Sequence, residues 1–99
     1  MKAPKIVTAD PKAFAESCIE YVSFREAYSS QLEDGTYSIQ GEELSNFDTV
    51  RDYINKQFNK LLGIFQVEDL VFYVASKLKN RKELQEQEAI EKIIASFQR

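Results

Sequence analysis

Apolar residues recur at helical spacing along most of this chain. Phe14, Cys18, Tyr21, Val22 and Leu32 share one face, with Tyr28 close to it, while Lys12, Glu16, Glu20 and Glu26 fall mostly elsewhere, the rhythm of a helix that buries one side. Asp10-Pro11 reads as an N-cap followed by proline at the first helical position, where its missing N–H costs nothing and its fixed φ suits the helix. A first helix is therefore expected from Pro11 to about Leu32. Gly35 either stops it as a left-handed residue or opens a turn with Asp34.

A sharper stripe follows. Phe47, Val50, Ile54, Phe58, Leu61 and Leu62 fall on one face, Ser45 and Asp48 have the spacing of a capping box, and Gly63 supplies a stop, which together predict a second helix opening at Ser45. The run Val67–Lys79 is apolar on all sides over Leu70–Ala75 and would also suit a buried strand. Its ends decide for a short central helix, because Glu68 and Asp69 in the first turn and Lys77 and Lys79 in the last complement the helix dipole. Asn80-Arg81-Lys82-Glu83 has the pattern of another capping box, opening a fourth helix whose inner face is Leu84, Ile90, Ile93, Ile94 and Phe97.

Between the first two helices lies a connector, residues 33–44. Tyr37 and Ile39 alternate as in a strand, but no second alternating run is there to make a hairpin, so the stretch is expected to be extended and to dock its two apolar side chains on the helices. Ile6 and Val7 are its only pairing candidates within an N-terminal tail, residues 1–9. The fold class expected is all-α: a four-helix bundle-like single domain with one extended, glycine-containing connector between the first and second helices.

Composition agrees with that picture. The chain has 99 residues, 43% apolar and 29% charged, which suits one folded domain. No apolar run approaches the roughly 20 residues that cross a bilayer, and the N-terminus has no signal-like segment, so no membrane and a cytoplasmic location are expected. The lone Cys18 reads as a reduced core thiol.

Candidate chemistry narrows quickly. The chain has no histidine, which removes Ser-His and Cys-His nucleophile pairs and Cys/His zinc sites. Counted from Asp34, a calcium loop would need its glycine where Ile39 stands. Adjacent Glu42 and Glu43 lack the dry cleft that a general acid requires, and the isolated Gly35, Gly41 and Gly63 make no phosphate cradle. No catalytic residue, cofactor or metal is expected, and no enzyme.

Charge and aromatics then point to a partner. The net charge is −3, but six carboxylates stand against Arg51 alone between Gln31 and Asp52, and Lys77, Lys79, Arg81 and Lys82 form an opposite cluster. Seven phenylalanines and five tyrosines exceed what one small core readily hides, with Phe24, Phe65, Phe72 and Tyr73 off or at the edge of the stripes. The expected function is a small acidic helical module, an adaptor, regulator or inhibitor that docks on a larger protein. Its expected contact residues are Glu33, Asp34, Tyr37, Glu42, Glu43, Phe65, Phe72 and Tyr73, facing a partner with a basic surface or, as a variant, a second copy of the chain. The alternative is a helix-turn-helix-like nucleic-acid binder using the Lys77–Lys82 cations, against which stand Glu83, Glu86, Glu88 and Glu91 on the helix that would enter the groove.

Overall fold

The computed structural model describes residues 3–29, 37–39, 41–79 and 86–97. Four helices lie within them: α1 (Pro11–Ser29), α2 (Glu42–Phe58), α3 (Ile64–Leu78) and α4 (Gln87–Ser96). No strand occurs among the described residues, and none of these helices is long and apolar enough to cross a membrane. The all-α, bundle-like fold read from the sequence is the fold found.

α3 is the central element, packing on α1, α2 and α4. That position explains its composition. A helix enclosed by three neighbours needs apolar side chains around most of its circumference, and Val67, Leu70, Val71, Val74, Ala75 and Leu78 are all buried. Phe14, Cys18 and Tyr21 of α1, Phe47, Val50 and Ile54 of α2, and Ile90 and Ile94 of α4 complete the core. Each large side chain removed from water in this way contributes about 1.5–3 kcal/mol.

The helix ends show which local signals prevailed. At α1 the expected cap forms: the Asp10 carboxylate accepts from the Ala13 N–H at 2.8 Å, and the Asp10 carbonyl accepts from the Phe14 N–H at 2.9 Å. α2 corrects the Ser45 start, since it opens at Glu42 with Gly41 as N-cap. Gly41 has φ +61°, a conformation that glycine adopts without penalty, and Glu42 and Glu43 then place two carboxylates at the positive end of the helix dipole. Ser45 lies inside the helix, its N–H donating to the Gly41 carbonyl. The connector accordingly ends at Gly41 rather than at residue 44.

The far end of α2 also differs. The helix stops at Phe58, where Asn59 takes the left-handed conformation and both its N–H and that of Lys60 donate to the Asn55 carbonyl. Gly63 instead caps the start of α3, its N–H donating to Gln66 Oε1 at 2.8 Å. Because the helix has ended, Leu61 leaves the predicted stripe and is 94% exposed, while Leu62 is buried. α3 begins at Ile64, ahead of the expected Val67, so Glu68 and Asp69 lie beyond its first turn and do not face the helix dipole as expected. α4 opens at Gln87, not at the expected Asn80, with extended Glu86 as its N-cap; the residues of the expected capping box at Asn80–Glu83, and Leu84, Gly35 and Leu32, lie outside the described residues.

Two asparagines on α2 hold the non-helical chain in place. Asn46 is buried, its Oδ1 accepting from the Ile6 N–H at 2.8 Å and its Nδ2 donating to the Ile6 carbonyl at 2.9 Å. Ile6 is thereby fixed in the core, and the Val7 N–H donates to Ser17 Oγ. Asn55 does the same for Leu62, accepting from its N–H at 2.8 Å and donating to its carbonyl at 3.1 Å. Each amide serves as both donor and acceptor, as a neighbouring strand would. Buried backbone groups outside helices need such partners.

Candidate functional site

The six expected contact residues that are described do not form one surface. Tyr37 and Glu43 meet in a polar network with Tyr21 and Arg25 of α1 and Glu68 of α3. Tyr21 sits one turn before Arg25, so both face α3 and the start of α2. Arg25 Nη1 donates to Glu68 at 2.8 Å and to the Tyr21 hydroxyl at 3.1 Å. The Tyr21 hydroxyl donates to Glu43, and the Tyr37 hydroxyl donates to the same carboxylate at 2.8 Å. Arg25 lies 4.1 Å from the Tyr37 ring centroid and 5.3 Å from that of Phe72, an arrangement that favours a cation between aromatic faces.

This network holds groups still and does not prepare them to react. Burial, reinforced by the hydrogen bond to Glu43, pushes the Tyr37 phenol up to about 12. The same two causes raise Tyr21 further, against the opposing pull of Arg25. Burial lowers the Arg25 pKa, but Glu68 and Tyr21 outweigh it, and the guanidinium stays charged. Neutral phenols and a fixed cation are poor nucleophiles and bases near neutral pH. The network ties Tyr37 to the bundle, and Tyr37 in turn packs edge-on against Tyr28, which stacks on Phe24. Ile39 packs against the core as expected.

Phe72 and Tyr73 are half-buried. Phe72 lies beneath Arg25, and Tyr73 packs on Phe97 with its hydroxyl 2.8 Å from Ser96 Oγ. Glu42 is exposed on the first turn of α2. Glu33 and Asp34 lie outside the described residues. Phe65 stands apart: all twelve aromatic side chains are described, and Phe65 alone among them is exposed, at 83%. Leu61 is exposed with it, one helical turn away along the chain, and the Asn55 grip on Leu62 is what turns Leu61 outward.

The basic cluster is partly engaged within the chain. Lys77 lies over the Tyr73 ring at 5.5 Å, and Lys79 is 3.9 Å from Glu26. Arg81 and Lys82 lie outside the described residues. Among the described residues no three His, Cys, Asp or Glu side chains are grouped so as to hold a metal ion. Cys18 is buried, and that burial raises its pKa well above the ordinary thiol value.

The polar roles of Arg25, Tyr21 and Glu68 and the two asparagine clamps are not legible in the sequence. The available signals were faint: Tyr21 and Arg25 stand at helical spacing, and Asn46 and Asn55 each adjoin a residue of the apolar stripe. Comparison of the chain with protein-family models, curated proteins and solved structures gives no match.

Proposed function

We propose that the chain is a protein-docking module without enzymatic activity, and that the corner between α2 and α3 is its contact surface. The observation that carries this reading is the isolation of Phe65. The fold buries or half-buries every other aromatic, yet leaves this ring and the neighbouring Leu61 in water. Exposed aromatic and aliphatic anchors presented by a rigid scaffold are the usual centre of a binding surface. The scaffold here is rigid for a stated reason, since Leu62 is fixed at both backbone groups and Gly63 is tied to Gln66.

The testing experiment captures binding proteins from an extract of the source cells with the wild-type chain and with L61S/F65S. Proteins retained by the first and lost by the second support the reading. If neither chain retains a protein, or both retain the same set, the corner is not a docking surface. Sedimentation at high concentration separates docking on another protein from pairing with a second copy. A gel-shift titration in salt distinguishes nucleic-acid binding through Lys77 and Lys79, which must weaken steeply as salt rises.

A further inference from the structure

A concave surface lies between the entry to α1, the second half of α2 and the length of α4, a groove of about 790 Å³. Three elements meet there. Asp10 comes from the α1 cap, Tyr53 and Phe58 from α2, and Glu88, Glu91 and Lys92 from α4. Tyr53 and Phe58 are half-buried, packing inward on the core while they line the groove. The floor is therefore aromatic, and the walls carry three carboxylates and one ammonium.

Among the described residues none neutralises these carboxylates: no cation lies within ion-pair distance of Asp10, Glu88 or Glu91. Asp10 accepts the Ala13 N–H, and Glu91 accepts a long bond from Gln87 at 3.4 Å, so both retain acceptor capacity. Their field reaches the floor. The Tyr53 phenol is raised first by burial and then by the negative charges of Asp10 and Glu91.

We infer that this groove docks an extended basic segment of another protein, placing an arginine or lysine over Tyr53 between Asp10 and Glu91. Charge complementarity selects the occupant: an anionic or purely apolar segment would face unpaired carboxylates, whereas a cation gains both the carboxylates and the ring face. The inference rests on the reading of the chain as a docking module, but it uses a different surface and specifies the partner's chemistry. Phe58 lines the groove, and Lys60, two residues on, donates to the Ala95 and Phe97 carbonyls.

The test uses a labelled peptide of alternating arginine and alanine, its glutamate counterpart and spermidine, titrated at low salt into the isotopically labelled whole chain. The arginine peptide should move the amides of Tyr53, Gln57 and Glu91, and the glutamate peptide should not. Affinity should fall about tenfold in E88Q/E91Q and stay within about twofold in E16Q/E20Q, a pair of exposed α1 carboxylates that removes the same charge away from the groove. No binding overturns the inference, as does an equal loss in both variants, which would mean undirected attraction to an acidic protein. Spermidine moving the same amides with the same affinity also overturns it, in favour of a small-cation site. Peptide binding is read at the groove and capture at the corner, so either result can fail while the other stands.

Discussion

Asn55 grips Leu62 by both its backbone groups, and this one amide decides that Leu62 enters the core while Leu61 points to water. The clamp needs a donor and an acceptor on the same side chain. N55L keeps the volume and loses both bonds, leaving a part-buried N–H and carbonyl without partners. The expected cost is about 1–3 kcal/mol, read as a lower urea midpoint with unchanged slope. An unaltered midpoint would show that water replaces the clamp at no cost.

The exposed corner predicts a separation of stability from binding. L61S/F65S removes side chains that the fold does not use, so its unfolding free energy should stay within about 0.5 kcal/mol of wild type. Capture of a partner should be lost. A large loss of stability would mean that the corner belongs to the core after all.

Arg25 and Glu68 are a partly buried pair, 13% and 26% exposed. Removing only the negative charge leaves a guanidinium among aromatic rings without its ion-pair partner. E68Q should therefore destabilise by about 1–3 kcal/mol, less than a fully buried pair because solvent still screens it. R25M/E68M, which removes both charges and keeps the packing volume, should lie closer to wild type than E68Q. Urea unfolding of the three chains decides the matter, and a double variant weaker than the single one contradicts it.

Alkaline pH acts on the same network. The Tyr37 phenol titrates near 10 in an unfolded chain and is pushed up to about 12 in the fold. The folded state therefore binds its proton more tightly than the unfolded state. That contribution is fully present below pH 10 and is lost as pH rises through about 12; Tyr21, raised further, continues the loss beyond. Y37F should be less stable than wild type at neutral pH, and its deficit should shrink between pH 10 and 12. A deficit independent of pH would remove Tyr37 from the titration.

Periodicity made the helices legible, because burial of one face imposes a repeat that local sequence cannot hide. The central place of α3 was legible for the same reason: only a helix with neighbours on three sides tolerates Leu70–Ala75. Helix ends were less so. Ser45 and Gly63 carry strong local signals, yet Gly41 and Asn59 prevailed because Asn46 had to face Ile6 and Asn55 had to face Leu62. Those partners lie in other elements. The Arg25 network was hidden for a related reason, since Glu68 is 43 residues away along the chain, and a pair of that kind leaves no trace in spacing. Phe24, Phe65, Phe72 and Tyr73 all lie off or at the edge of the stripes, yet of the four only Phe65 is exposed, because Tyr28, Arg25 and Phe97 pack against the others.

The two amide clamps also make two stretches of the fold each depend on the NH2 group of a single asparagine. Asparagine is among the thermolabile residues, and its slow hydrolysis to aspartate exchanges one NH2 for one oxygen. At Asn46 or Asn55 that exchange would turn a donor toward the carbonyl of Ile6 or Leu62 into a repelling acceptor. Hydrolysis at either residue would therefore loosen a specific stretch of chain, the N-terminal residues around Ile6 in one case and the corner at Leu62 in the other.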